Sequence, residues 1–173
     1  MEHMILNGQT RRDLFQYFPL LQDDTITVRR IGKSDTAQLK ELYDQPLNDA
    51  YAEHLAEECL RWYKERKEIA AGIFTADGTL AGILEIYDVK KDSVTIGYRI
   101  RIPMRRHGYA GRAVELLKKH LSENTDVQRI EAACDACNYA SRGVLEKCGF
   151  RQTGIRGSIV EYECQLYGQS MIQ

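Results

Sequence analysis

Two apolar runs, Glu68 to Thr75 and Thr79 to Tyr87, are separated only by Ala76-Asp77-Gly78, and this segment constrains the fold more than any other. Gly78 supplies the positive φ of a tight turn, so the runs are predicted to fold back on each other as a β-hairpin. The polar stretch Asp88-Val89-Lys90-Lys91-Asp92 reads as the next turn, followed by a strand from Ser93 to Ile102. Three consecutive antiparallel strands result, and the rest of the chain must pack on them.

Upstream, Ile26-Thr27-Val28-Arg29-Arg30-Ile31 alternates as a half-buried strand does, and Ser34 is placed to cap a helix carrying Ala37, Leu39 and Leu42. Pro46 ends that helix or marks the break before the next one. From Asp49, the residues Tyr51, Leu55, Cys59 and Trp62 recur at helical spacing, which reads as a core-facing stripe. Residues 1–24 carry Phe15, Tyr17, Phe18 and Leu20 without clear periodicity, and are expected to form a short helix or arm packed on a single domain spanning 25–170. Downstream of Pro103 come a Gly-bearing loop, a helix burying Ala113, Val114, Leu116, Leu117 and Leu121, and a strand from Gln128 to Cys134. A helix from Ala140 to Cys148, closed by Gly149, precedes a final pair of strands through Tyr167. The order β-α-α-β-β-β-α-β-α-β-β predicts an α/β domain on a mixed sheet.

A chain of 173 residues builds one core large enough to need neither disulfide nor metal. The net charge of −1 argues against a nonspecific nucleic-acid binder. No stretch approaches the roughly 20 apolar residues of a spanning helix, so no membrane partner is expected. Five scattered cysteines and an N-terminus without a basic start and long apolar run point to the cytoplasm. Cys134-x-x-Cys137 has no second pair and no histidine at ligand spacing, so no metal is expected. The small net charge conceals a division. Residues 93–114 hold five arginines and no acid, whereas residues 35–58 hold seven acids against Lys40 alone.

Chemistry concentrates in Arg105-Arg106-His107-Gly108-Tyr109-Ala110-Gly111-Arg112, between a strand and an amphipathic helix. Small residues let backbone approach a ligand, and the first N–H groups of a helix lack internal partners. With the helix dipole and the arginines, the loop suits phosphate oxygens. It lacks both the Gly-x-Gly-x-x-Gly of dinucleotide binders and the Lys-Ser/Thr of a P-loop.

Arg105-x-x-Gly108-x-Ala110 resembles the pyrophosphate loop of the GNAT superfamily of acyl-CoA-dependent N-acetyltransferases. Ile130-Glu131-Ala132-Ala133-Cys134-Asp135-Ala136-Cys137-Asn138-Tyr139-Ala140-Ser141, Val144-Leu145-Glu146-Lys147-Cys148-Gly149-Phe150, Ile96-Gly97-Tyr98 and Leu166-Tyr167-Gly168 are similar to its branch of ribosomal-protein N-terminal alanine and serine acetyltransferases. The resemblance covers about residues 80–168. It implies the GNAT fold, a mixed and mostly antiparallel sheet whose splayed strands are flanked by helices, with acetyl-CoA as co-substrate. It further implies that Ile100, Arg101 and Ile102 run beside the pantetheine arm. The amides from Arg106 through His107, Gly108, Tyr109 and Ala110 to Gly111 would cradle the pyrophosphate, with Arg105 and Arg112 adding charge. Asn138 would bond the pantetheine, Lys147 would lie along the cofactor, and Ser141 would sit near the sulfur.

Acetyl transfer to an alkyl amine needs a route for the amine proton, a donor for the carbonyl oxygen and a donor for the departing thiolate. Ser141 is the positional candidate for the last role, although a hydroxyl at a helix start also serves as a cap; Tyr139 is the alternative. The family's frequent acid two residues before Gly97 is replaced by Thr95, which leaves Glu85, then Glu163, or a water chain as the route for the amine proton. The acceptor is expected to be a protein N-terminus, a lysine or a small cationic amine, the acidic window supplying the complementary charge. A domain that binds acyl-CoA as a sensor without turnover is the alternative, and a monomer or homodimer is expected.

Overall fold

The computed structural model describes residues 5–6, 9–10 and 13–166. Strands β1 (Ile5–Leu6) and β2 (Gln9–Thr10) pair only with each other. The main elements are β3 (Leu21–Gln22), β4 (Ile26–Arg30), α1 (Thr36–Leu39), α2 (Asp49–Lys64), β5 (Glu68–Thr75), β6 (Leu80–Tyr87) and β7 (Ser93–Ile100). They continue with α3 (Tyr109–Asn124), β8 (Arg129–Asp135), α4 (Tyr139–Lys147), β9 (Arg151–Arg156) and β10 (Ile159–Gln165). Eight strands form one sheet in the order β3-β4-β5-β6-β7-β8-β10-β9. Every pair in it is antiparallel except β7 with β8.

The sheet is buried on both faces at its centre. Ile69, Ala71, Ile73, Leu84 and Ile86 belong to a core shared with Ala113, Val114, Leu117 and Leu121 of α3. Ala70, Phe74, Leu80 and Ile83 pack on the opposite face against Leu39 of α1 and Ala52, Ala56 and Cys59 of α2. Burial on both faces is why β5 and β6 read as continuous apolar runs rather than alternating ones. The hairpin turns at Gly78 with φ +84°.

Several boundaries differ from expectation, each for a local reason. Residues 13–20 contain no helix: a turn at 14–16 and an extended stretch place Leu14 and Phe18 in the core. The rest of the expected N-terminal arm lies largely outside the described residues. At the next turn the organising residue is Asp35, not Ser34. Its carboxylate accepts from the Gly32 amide at 2.8 Å and from both Arg29 guanidinium nitrogens at 3.0 and 2.8 Å. The following helix stops after Leu39, where the Glu41 carbonyl is taken by Arg101 Nε at 3.0 Å. Strand β7 ends at Ile100 rather than Ile102 because Pro103 removes a donor and fixes φ. Ile102–Met104 instead forms a 3-10 turn. The last strand ends at Gln165, and Tyr167 lies outside the described residues.

Candidate active site

The site begins where two strands part. β7 pairs with β8 only from Ser93 to Ile96, after which β7 keeps its partner β6 and β8 keeps β10. Backbone groups on the facing edges beyond Ile96 are thereby left for another extended chain. The opening leads into a cleft of about 850 Å3 lined by the end of β7, the 104–111 loop and the first two turns of α4. That volume suits a sizeable cofactor.

The loop is held open by its backbone. Gly108 has φ +77° and Arg106 has φ +64°, and no side chain caps α3. No heavy atom lies within 4 Å of where a Gly108 Cβ would project, so glycine is favoured there by the left-handed conformation rather than by crowding. The first bond at the start of α3 runs from the Arg112 amide to the Gly108 carbonyl at 3.1 Å, so the amides before it precede the regular helical ladder. Arg105, Arg106, Gly108, Tyr109, Ala110 and Gly111 all line the cleft. Arg105 Nε donates to the Ile100 carbonyl at 3.0 Å, and its guanidinium lies 3.6 Å from Asp44. Any ligand that uses the Ile100 edge must therefore share or displace that bond.

The opposite wall is the start of α4. Asn138 caps the helix by accepting from the Ser141 amide at 3.1 Å. The Tyr98 hydroxyl, on β7 just past the parting point, lies 3.0 Å from Ser141 Oγ and 3.0 Å from the Ser141 carbonyl oxygen. Burial pushes the Tyr98 phenol up to about 12, the Ser141 hydrogen bond opposing it in part, so the ring stays neutral near pH 7. Tyr139 lines the mouth and is 74% exposed, and Lys147 closes the far end. Tyr98 is the residue that motif reading missed. Its position one strand period before Ile100 was the available signal, but the contact with Ser141 spans 43 residues of chain.

Glu85 lies on the other side of the sheet. Leu84 and Ile86 face α3, so Glu85 points with Ile83 toward the α2 side. It stands across from Gly97, whose missing side chain leaves a Cβ position 3.4 Å from Glu85 Oε2 and 3.8 Å from the Tyr87 ring. Burial raises the Glu85 carboxyl above the usual carboxylate range and Arg99 partly offsets this. Glu68 is raised as well, by burial and by the charge of Glu85. Arg99 sits over the Tyr43 ring at 5.0 Å. Glu85 and Gly97 thus face the α2 side of the sheet one residue past the point where β7 and β8 part.

The structure places other expected site residues away from the cleft. The Arg101 guanidinium bonds the Leu80 carbonyl at 2.9 Å and the Glu41 carbonyl, and Ile102 is exposed in the 3-10 turn. Arg112 is held by Asp23 at 3.0 Å and Asp24 at 3.2 Å. His107 stacks on Tyr109 and its Nδ1 lies 3.2 Å from the Met104 carbonyl. Glu163 faces the same side as Glu85 but stands three strands away, paired across from Glu131 and bonded by Gln165. The acids of the 35–58 window are largely engaged: Asp35 with Arg29, Asp44 with Arg105, Asp49 with Lys40, Glu57 with Lys33 and Glu58 with Arg61. The half-buried acids on this face of the sheet are instead Glu85, opposite Gly97, and Glu68, which feels the charge of Glu85, both outside that window. Among the described residues no cluster of His, Cys, Asp and Glu could hold a metal ion, and no helix is long and apolar enough to cross a membrane.

The sequence profile of the acetyltransferase (GNAT) domain matches residues 3–151. No curated protein sequence matches the chain significantly. Solved structures share the fold at low identity. The microcin C7 self-immunity acetyltransferase MccE, determined with acetyl-CoA and AMP, superposes with TM-score 0.74 at 16% identity, covering 83% of this chain and 93% of its own. A Salmonella typhimurium acetyltransferase that modifies the N-terminal serine of ribosomal protein L7/L12 gives 0.71 at 17% identity, covering 86% and 100%. The ribosomal-protein-S5-alanine acetyltransferase of Vibrio fischeri gives 0.70 at 15% identity, covering 86% and 97%.

Proposed function

The chain belongs to the GNAT acetyltransferase family, and from that premise we propose that it moves the acetyl group of acetyl-CoA directly to a primary amine in a ternary complex. The observation that carries this reading is the parting of β7 from β8 after Ile96 beside the uncapped amides of α3 and the Ser141 hydroxyl. A thioester needs those three things together. The α3 amides with Arg105 and Arg106 hold the pyrophosphate, and the free edge of β7 pairs with the pantetheine. Asn138 bonds the pantetheine as well, and Tyr109, Ala110, Gly111 and Lys147 line the path.

Glu85 takes the proton of the attacking amine. Burial keeps its carboxyl above the ordinary range, which brings it closer to neutral pH and makes it a stronger base. Gly97 leaves the space through which amine and thioester meet from opposite faces. An edge amide of β7 donates to the carbonyl oxygen as it becomes negative. Ser141 donates to the sulfur as the C–S bond breaks. Glu163, held by Gln165 and distant in the sheet, has no part in this route.

The acceptor is a cationic amine, a reading supported by the half-buried Glu68 and Glu85 and no longer by the acidic window. The Salmonella and Vibrio enzymes act on ribosomal proteins, which makes a protein N-terminus the first acceptor to try. The test is incubation with acetyl-CoA and a panel of N-terminal peptides, lysine peptides and polyamines, following free thiol and product mass. Stoichiometric thiol release with an amine 42 Da heavier is expected, roughly the mass of one acetyl replacing one proton. Tight CoA binding without transfer to any member would replace this reading with that of a non-catalytic sensor.

A further inference from the structure

We infer that Tyr98 is the positioning residue of the thiolate-stabilising step: it aims the Ser141 hydroxyl at the departing sulfur through the hydrogen bond that joins the two walls of the cleft. The inference rests on the acetyl-transfer reading above and adds a residue to its machinery.

The argument follows from counting protons. Tyr98 and Ser141 have one hydroxyl proton each, and the Ser141 carbonyl oxygen only accepts. Tyr98 Oη lies 3.0 Å from both Ser141 Oγ and that carbonyl. Two arrangements of this pair satisfy the geometry, and the Cys134 sulfur, which the Ser141 side chain also bonds, competes for the Ser141 proton. In the first, Tyr98 donates to the carbonyl oxygen and Ser141 donates back to Tyr98, so neither proton faces the cleft. In the second, Tyr98 donates to Ser141 Oγ and the Ser141 proton is released toward the cleft that both residues line. The second arrangement is favoured only when something negative stands in the cleft to receive that proton. A neutral phenol is required throughout, and burial keeps Tyr98 neutral well above physiological pH.

The ammonium form of the acceptor first gives one proton to Glu85, which passes it to solvent. The neutral nitrogen then forms the new C–N bond, the C–S bond breaks with its electron pair going to sulfur, and the second nitrogen proton passes to Glu85. The sulfur leaves as thiolate under the Ser141 hydrogen bond. No proton is lost from Ser141 or Tyr98, so the pair is ready for the next cycle without reprotonation. Tyr98 also stands just beyond Ile96, so the bond ties the parting strand to the first turn of α4.

The test uses the bound product. CoA is titrated on the full-length protein and its thiolate absorbance followed against pH, in wild type, Tyr98→Phe, Ser141→Ala and the double variant. Phenylalanine keeps the ring and removes only the hydroxyl. A hydrogen bond to a charged acceptor corresponds to about one pH unit, so bound CoA is expected to titrate about one unit higher in each single variant than in wild type. The double variant should titrate with Ser141→Ala, because Tyr98 acts through Ser141. Acetyl transfer by Tyr98→Phe should show a kcat lowered about 10-fold with the acetyl-CoA KM within about twofold. An unchanged thiol titration in Tyr98→Phe, or a double variant in which the two shifts add, overturns the inference while leaving acetyl transfer standing. Failure of CoA to bind the wild-type protein would overturn both.

Discussion

Replacing Gly82 with alanine should disable the cleft from the sheet side, without changing the identity of any residue proposed to meet substrate. Gly82 lies in β6 opposite Ile100, next to the irregularity where β5 and β6 shift register. A Cβ there would fall 2.2 Å from the Arg99 carbonyl oxygen and 3.0 Å from Ile100 Cα, whereas ordinary contact begins at 3.4 Å. The Ile100 Cδ1 atom, at 2.8 Å, can swing aside, but these two obstacles are backbone and cannot. Reaching contact distance requires an opening of about 1.2 Å (3.4 − 2.2), which must push the end of β7 toward the cleft or peel it from β6. Overpacking of this kind costs about 1–3 kcal/mol. In a domain of this size each kcal/mol is about 2–4 °C, so Tm should fall by about 2–12 °C. The functional loss should exceed the thermal one, since displacement of reacting groups by about 1 Å costs about 100-fold in rate. Thermal melts, calorimetric titration with acetyl-CoA and steady-state kinetics measure the three quantities. A variant whose Tm stays within about 1 °C of wild type, with kcat/KM within about twofold, would refute the claim that close β6–β7 approach positions the site.

Two further substitutions separate base from loop. Glu85→Gln should lower kcat/KM by about 100- to 10,000-fold and remove the ascending limb of the pH–rate profile, which in wild type lies above the ordinary glutamate range. The same change should raise stability at neutral pH. A carboxyl raised on folding binds its proton more tightly in the native state, so its stability contribution declines as pH rises from the unfolded glutamate value through the raised native value, and glutamine is spared that decline. An intact limb in Glu85→Gln would assign the proton to water or another group. Gly108→Val should weaken acetyl-CoA binding at least about 10-fold, because a β-branched residue at φ +77° is strained by about 1–3 kcal/mol and the loop must rearrange. Unchanged affinity in a folded variant counts against the loop as the phosphate site.

The hairpin at Gly78, the helix from Asp49 and the loop around Gly108 were legible because each is set by local chemistry: a turn glycine, apolar residues at helical spacing, and small residues before a helix. Yet the face that α2 buries is Ala52, Ala56 and Cys59, and Tyr51 of the expected stripe is exposed. The loop's phosphate reading needed only neighbours in sequence. The extent of β7, the organiser of the turn before α1 and the N-terminal segment were less legible. Those depend on Pro103, on Arg29 closing on Asp35, and on Leu14 and Phe18 finding room in the core.

The charge division shows where the limit lies. Sequence alone fixed the basic loop, since its arginines and glycines are consecutive and their helix follows directly. It also placed seven acids in residues 35–58. What it did not contain was their partners: ion pairs with Arg29, Lys33, Lys40, Arg61 and Arg105 form across turns, helix faces and separate elements. Only the folded sheet decided that Glu85 stands half-buried opposite Gly97 with Glu68 close enough to feel its charge, and that Tyr98 meets Ser141. Sequence sets the face a residue takes within its own strand or helix, because that period is local. Which side chain waits on the facing element depends on strand order and on where β7 leaves β8, and those are properties of the packed sheet.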